Sequence, residues 1–374
     1  MKADEQKSVA RDIFALALKA VKDGKPADKV IAFEVKNRRF MGANDRRAVI
    51  GMVWNVFHSM AYLRWKLGDD AEAGELFDLS LDPQDLTGAP EYVRYGCPAF
   101  LFTDMPKEEI KAMQTRASFD LRVNTSKMAR DKVIQMFKMQ GISAEKTPFS
   151  PVGLRMQKHF PLEETTAYKR GLVAVMDEGS QLVALKIAPF INKGDKVLDL
   201  CAGGGGKTLA LFDLAADKGG ADFTATDISA ERLEKLKIRA KLAVFKGIKV
   251  EALSPDYQPF LSHHIAAFDE VVVDAPCSGT GTWRRAPDAK WRTSPLLLAS
   301  YEAEQRTILF KAAQMVKKGG KLFYITCSLR RAENEAQVEW FLSENKSFAL
   351  LDSEYILPSK YASDGFFVAM IENK

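Results

Sequence analysis

The sequence predicts an α/β core built on a mostly parallel sheet, preceded by an all-α region and a small mixed α/β segment. Three observations carry this. Short apolar runs alternate with amphipathic helical patterns from about residue 165 onward. The first of those core runs ends in a glycine-rich turn, and residues 1 to about 80 show helical periodicity alone. Strands separated by helices imply a parallel sheet covered on both faces, which takes ligands outside the carboxyl ends of its strands. The expected domains are residues 1–80, helical; 81–160, a linker and small α/β subdomain; and 161–374, the core.

In the helical region Val9, Ile13, Leu16 and Ala20 recur at helical spacing, and Gly24-Lys25-Pro26 ends that helix. Residues 27–35 form a second helix, and Asn44 caps a longer one carrying Val49, Ile50, Val53, Phe57 and Leu63. Pro83, Gly88, Pro90, Gly96 and Pro98 punctuate a linker. Beyond it, 107–116 reads as helix, 119–124 alternates as a strand, and 127–139 is helical again. Core strands are expected at 196–200, 223–227, 249–252, 268–274 and 321–326, with a closing antiparallel pair near 348–351 and 366–371.

A chain of 374 residues suggests two or three domains, and 47% hydrophobic residues suffice for a core in each. The net charge of +5 tolerates a polyanionic partner without demanding one. Cys97, Cys201, Cys277 and Cys327 lie far apart without CxxC spacing, so neither zinc nor any other metal is expected, nor a disulfide framework. The opening residues lack a signal-peptide core, and no apolar run approaches membrane length. A cytoplasmic monomer independent of membranes is expected.

Residues 196–207 read KVLDLCAGGGGK and lead into a helical pattern at Thr208. Strand, glycine turn and helix together offer unpaired N–H groups to a ligand. A Walker A loop needs glycine at the position of Cys201, and a dinucleotide fingerprint needs one at Thr208. The spacing that fits is acidic-x-G-x-G-x-G, the S-adenosylmethionine loop of Rossmann-like methyltransferases, with Cys201 replacing the first glycine. Asp227 ends the second core strand, where a carboxylate meets a ribose diol. Asp256 follows the third strand and is a looser candidate for the adenine side.

The fourth core strand ends Asp274-Ala275-Pro276-Cys277-Ser278, and the fifth ends Thr326-Cys327-Ser328. Adjacent strands would bring two thiols and a carboxylate to one crevice. A thiolate can add to carbon 6 of cytosine, which makes carbon 5 a nucleophile for an activated methyl group. Asp274, held protonated by burial, would donate to N3, and a second cysteine suits removal of the carbon 5 proton. Basic residues cluster elsewhere. Arg116, Arg122, Lys127, Arg130 and Lys132 accompany the small α/β segment, and Trp283, Arg284, Arg285, Lys290, Trp291 and Arg292 follow the Cys277 loop. Aromatics interleaved with cations suit stacked bases and phosphates, so Arg122, Lys127, Arg284, Arg285, Lys290 and Arg292 are candidate RNA contacts.

CAGGGGK, ATDIS, FDEVVVDAPCSGTGTWRR, GGKLFYITCS and the ending DGFFVAMIEN resemble the RNA cytosine-5 methyltransferases of the RsmB/Nop/Sun family. FDLRVNTSK resembles the small RNA-binding subdomain that precedes the family's core, and NDRRAVIGMVWNV the NusB-like helical domain of its bacterial branch. The resemblance implies Cys327 as nucleophile, Cys277 as the residue that assists release, and Asp274 serving both base and cofactor. It implies S-adenosylmethionine held by Cys201, Ala202, Gly203, Gly204, Gly205, Gly206, Lys207 and Asp227, with Asp256 and Asp274 as further contacts. Gly204 departs from the proline common in the family's loop. The expected activity is formation of 5-methylcytosine in ribosomal RNA of the small subunit; the alternatives are a transfer-RNA substrate or a non-catalytic RNA-binding assembly factor.

Overall fold

The computed structural model describes residues 1–374. The chain forms two compact units: Met1–Arg116 with Ser278–Ala299, and Ala117–Cys277 with Ser300–Lys374.

The first unit is helical, built on Ala3–Lys22, Ala27–Asn37, Ala43–Leu67 and Ala73–Leu79. Their apolar stripes meet around Phe14, Phe57 and Phe77, with the Phe14 and Phe57 rings edge-on at 5.3 Å. The helical unit runs well past residue 80. Val93, Cys97, Leu101, Ile110 and Met113 are all buried, so the Pro- and Gly-punctuated stretch is packed structure rather than a free linker. Its prolines start short helices at Glu91–Arg94, Ala99–Phe102 and Lys107–Ala112 instead of interrupting order.

Residues 278–299 are stitched into this unit by side chains. Asp288 Oδ2 accepts the Ala27 N–H at 3.1 Å, satisfying an orphan donor at the start of the second helix. The Trp291 indole donates to the Phe57 carbonyl at 3.0 Å, and Lys290 Nζ donates to Gly96 O at 2.9 Å and Gln114 Oε1 at 3.1 Å.

The second unit holds two sheets. The smaller contains β1 (Phe119–Val123), β2 (Ala144–Lys146), β3 (Gly153–Met156) and β4 (Val173–Val175), all antiparallel in the order β2-β3-β1-β4. The larger contains β5 (Lys196–Asp199), β6 (Asp222–Asp227), β7 (Lys249–Ala252), β8 (Phe268–Asp274), β9 (Val316–Thr326), β10 (Phe348–Ile356) and β11 (Phe366–Asn373). Its order is β10-β11-β9-β8-β5-β6-β7, with β5 to β9 parallel and β10 and β11 antiparallel. The core strands alternate strictly between two buried faces. Val197, Val272, Phe323 and Ile325 pack with the helices Glu178–Ile187 and Gly206–Ala216, whereas Leu198, Val271, Val273 and Tyr324 pack with Pro295–Met315 and Glu335–Glu344. Strand order reverses between β5 and β8, so the switch-point crevice opens at their carboxyl ends.

Asp213 joins the two sheets. It is fully buried on the helix Gly206–Ala216 and accepts Arg122 Nη1 at 3.1 Å, Thr125 N–H at 2.8 Å, Ser126 N–H at 3.3 Å and the Ser126 hydroxyl.

Candidate active site

The glycine loop leaves β5 at Asp199 and enters the helix Gly206–Ala216. Gly203 and Gly205 have φ of +54° and +78°, a region that side chains disfavour. An added Cβ would also stand 2.5 Å from Arg232 Nη2 at Gly203 and 2.4 Å from Leu236 Cγ at Gly205. These two positions therefore need glycine. The loop is braced by Asp227, 4% exposed, whose Oδ2 accepts Gly203 N–H and whose Oδ1 accepts Ser229 N–H, both at 2.8 Å. Ala202 N–H donates to Thr226 O at 2.8 Å, which keeps the loop across the end of β6.

The structure brings the two cysteines together. Cys277 follows β8 and Cys327 follows β9, and their Sγ atoms are 3.4 Å apart. Beside them, Lys207 Nζ donates to Asp274 Oδ2 at 2.8 Å and lies 4.9 Å from the Phe366 ring centroid. Burial works against the Lys207 ammonium, but the Asp274 carboxylate outweighs it and the pKa rises. The Asp274 side chain is 33% exposed and is engaged in this ion pair.

A hydrogen-bond frame fixes both thiol-bearing turns. Thr326 Oγ1 donates to Asn334 Oδ1 at 2.5 Å, Asn334 Nδ2 donates to Ser328 O at 2.9 Å, and Ser328 Oγ donates to Glu333 Oε2 at 2.6 Å. Gln305 Nε2 bridges to Pro276 O at 3.0 Å and Glu333 Oε1 at 3.2 Å, so one side chain ties the Cys277 turn to the Cys327 turn. None of Gln305, Glu333 and Asn334 stands out in the sequence: Glu333 and Asn334 fold back on the nearby Thr326-Cys327-Ser328 turn, and Gln305 reaches both turns from a distant helix.

The crevice is acidic. Asp199 is 1% exposed; its Oδ2 accepts Thr208 Oγ1 at 2.6 Å, and its Oδ1 is buried without a hydrogen-bond partner. Burial pushes its carboxyl up to about 7, and the charges of Asp274 and Asp227 reinforce the rise. Burial, with the same carboxylates, also pushes the Cys201 thiol up. Asp199, Asp227 and Asp274 thus gather around the buried Lys207 ammonium, with the exposed Arg232 guanidinium 3.6 Å from Asp227. The carboxylate-rich crevice suits a cationic sulfonium ligand, and Asp227 closes β6 at the strand end where a carboxylate can meet a ribose. The residues fit S-adenosylmethionine. No group of three or more His, Cys, Asp or Glu side chains is arranged to hold a metal ion.

Other expected contacts are placed differently. Asp256 is exposed, and its Oδ1 is occupied within its own turn by Ser254 Oγ at 2.7 Å and Gln258 N–H at 3.3 Å. The neighbouring Tyr257 is 7% exposed; burial and then the proximity of Cys201, Glu304 and Asp227 push its hydroxyl up, a placement that the Ser-Pro-Asp turn signal hides. Three RNA-contact expectations are corrected. Arg122 is 2% exposed and paired with Asp213, Lys290 is 1% exposed within the helical unit, and Arg284, 8% exposed, donates to Thr115 Oγ1 and Arg116 O at 3.1 Å each. Trp283 is likewise buried. Lys127 is half-buried on the Arg170 and Gly171 carbonyls, Arg292 is half-buried against Asp288 at 3.0 Å, and Arg285 is exposed.

The family described as 16S rRNA methyltransferase RsmB/F matches residues 186–372, and the RsmF/B-like ferredoxin-like domain matches residues 104–163. The chain belongs to the RsmB/F methyltransferase family. Ribosomal RNA small subunit methyltransferase B of Proteus mirabilis is 31% identical over 295 residues, which cover 75% of this chain and 67% of that protein. Probable ribosomal RNA small subunit methyltransferase B of Synechocystis sp. is 32% identical over 272 residues, 68% of this chain and 60% of that protein. The chain therefore spans 60–67% of the length of these two relatives. Among solved structures, PH0851 shares the fold at a TM-score of 0.83 with 21% identity over 98% of both chains. NSun6 from Pyrococcus horikoshii with SFG aligns at 0.64 with 20% identity, covering 77% of this chain and 99% of that one. Both confirm the Rossmann-like methyltransferase fold, and no helix is long and apolar enough to cross a membrane.

Proposed function

We propose that this chain is an S-adenosylmethionine-dependent RNA methyltransferase forming 5-methylcytosine in small-subunit ribosomal RNA, through a covalent adduct between Cys327 and the base. The observation that carries the reading is the pair of thiols 3.4 Å apart at adjacent strand ends, beside the Lys207–Asp274 ion pair. The RNA substrate is inferred from the relatives' names and the family match.

Cys327 adds as thiolate to carbon 6, and Lys207, whose ammonium feels the Cys327 charge, sits beside the sulfur that must carry it. The Lys207–Asp274 pair meets the N3 edge, where charge develops as the C5–C6 bond gives up its π electrons to carbon 5. Bound S-adenosylmethionine supplies an electrophilic methyl group for that carbon. Cys277, acting as a thiolate base, then takes the carbon 5 proton to become a thiol, the C5–C6 double bond re-forms, and the Cys327–C6 bond breaks to return the Cys327 thiolate. The Gln305 bridge keeps both thiols in register through these steps. The small sheet and the helical unit, read as NusB-like, serve RNA binding in this reading, and exposed Arg285 is a candidate phosphate contact.

The test is trapping. Cys277→Ala and Cys327→Ala are each mixed with S-adenosylmethionine and unmodified total RNA and run on a denaturing protein gel. A nuclease-sensitive, slow-migrating adduct from Cys277→Ala alone is expected, and sequencing the attached RNA identifies the site. An adduct from Cys327→Ala instead would reverse the two roles. No adduct from either variant, with the wild type inactive on every RNA, would leave a non-catalytic assembly factor.

A further inference from the structure

One position in the cofactor loop behaves unlike its neighbours. Gly203 and Gly205 need glycine, but Gly204 does not: its φ lies outside the left-handed region, and an added Cβ would meet only Arg239 Nη1, at 3.8 Å. Its N–H is also unused by the backbone network that holds Ala202, Gly203 and Gly205. A glycine where none is required enlarges the range of conformations the loop can visit.

The same residue receives an uncommon restraint. Arg239, on the helix Ala230–Leu242, donates from Nη1 to the Gly204 carbonyl at 2.7 Å. Its guanidinium is half-buried, no carboxylate pairs with it, and burial pulls its pKa down with only Tyr168 opposing. A cation drawn away from water for one carbonyl is unfavourable in itself. What it achieves is a fixed peptide between Gly204 and Gly205. Arg232, two turns earlier on the same helix face, lies against Gly203 and pairs with Asp227 at 3.6 Å, but it is 62% exposed and holds more weakly.

We propose that Arg239 is a positioning residue: it clamps the Gly204 carbonyl and so pre-forms the S-adenosylmethionine loop, replacing by a hydrogen bond the stiffness that a more constrained residue at 204 would supply. The role rests on the reading that residues 201–207 bind S-adenosylmethionine.

The experiment is a double-mutant cycle on the full chain with Arg239→Met, Gly204→Pro and their combination, with Arg239→Lys as a milder substitution that keeps a cationic donor. S-adenosylmethionine affinity is measured by titration calorimetry without RNA, and amide exchange across residues 198–207 is followed in ligand-free protein. Arg239→Met is expected to weaken binding about tenfold, the effect of losing one charged hydrogen bond. With Gly204→Pro already present, the same change is expected to cost about threefold or less, because proline supplies the restraint. Arg239→Lys should fall between wild type and Arg239→Met, and it carries the cycle where the methionine variant does not fold. Loop exchange should quicken in Arg239→Met and return toward wild type in the double variant, with the flanking strands unchanged. An equal loss of affinity in both backgrounds, no loss in Arg239→Met, or faster exchange spread across the whole unit would overturn the clamp. If the wild type bound no S-adenosylmethionine while loop exchange still followed the expected pattern, the cofactor reading would fall and the clamp would stand.

Discussion

Lys207→Met tests the ion pair at the heart of the site. The ammonium side chain is 9% exposed and Asp274 is 33% exposed, so the two partners are unequally buried. Removing one member of a buried pair costs about 3–5 kcal/mol, because the other is left uncompensated. Methionine keeps the length of the lysine stem, and the Asp274 carboxylate left behind can be rehydrated, which discounts the loss to about 2 kcal/mol. Asp274→Ala strands the better-buried ammonium and should cost more, about 3–4 kcal/mol. Combined, the two changes should cost less than their sum, since neither charge is then left alone. The pKa of Lys207 is raised above its ordinary 10.5, so the ammonium's contribution is complete below pH 10.5 and is lost as pH climbs through the folded value. Urea denaturation at pH 7 and pH 9 should therefore give the same differences. A Lys207→Met protein within about 0.5 kcal/mol of wild type, or one less stable than Asp274→Ala, would refute the unequal-burial reasoning.

Two further outcomes follow from single positions. Asp199 is raised from 3.8 to about 7, so the stability it contributes is fully present below pH 3.8 and is lost as pH rises through 7. Relative to wild type, Asp199→Asn should gain up to about 4 kcal/mol between pH 4 and pH 8, and a pH-independent difference in urea melts would contradict the buried, half-satisfied carboxylate. Gly171 has φ +59°, and a Cβ there would fall 2.0 Å from the Leu242 carbonyl oxygen. Gly171→Ala should cost about 3–5 kcal/mol, from left-handed strain plus overpacking, and a loss below about 1 kcal/mol would mean that the two segments separate easily.

The parallel core was legible because its signal is local and repeated. The β5, β6 and β8 runs are apolar enough to need cover on both faces, and each ends in a polar residue where the sheet meets the crevice. The cysteines were legible for the same reason, since neighbouring parallel strands bring their carboxyl ends together whatever lies between them. Burial of cations was not legible. Arg122 alternates with apolar residues on β1, yet the carboxylate that accommodates it lies 91 residues away. Trp283, Arg284, Lys290 and Trp291 have the composition of a nucleic-acid surface, but Trp283 is buried, the groups that accept the hydrogen bonds of the other three sit at Gly96, Gln114, Thr115 and Phe57, and no pattern within the segment announces them. Lys207 shows a third limit: the loop motif locates it but does not say which carboxylate it faces.

These misplacements share one cause, and it bears on how the site is built. A lysine or arginine is read as exposed because an isolated buried charge is prohibitive, so each buried one needs a partner or a carbonyl cluster supplied by tertiary structure. Here the buried cations mark the joints. Arg122 with Asp213 joins the small sheet to the helix that follows the glycine loop, Arg239 holds the loop's Gly204, and Lys207 holds Asp274 beside the thiols. Asp213 and Lys207 lie on one helix, Gly206–Ala216, six residues apart. One helix thus carries both an anchor for the small sheet and the cation paired with Asp274 beside the thiols. Weakening the Arg122–Asp213 joint should therefore disturb the Lys207–Asp274 geometry more than its distance along the chain suggests.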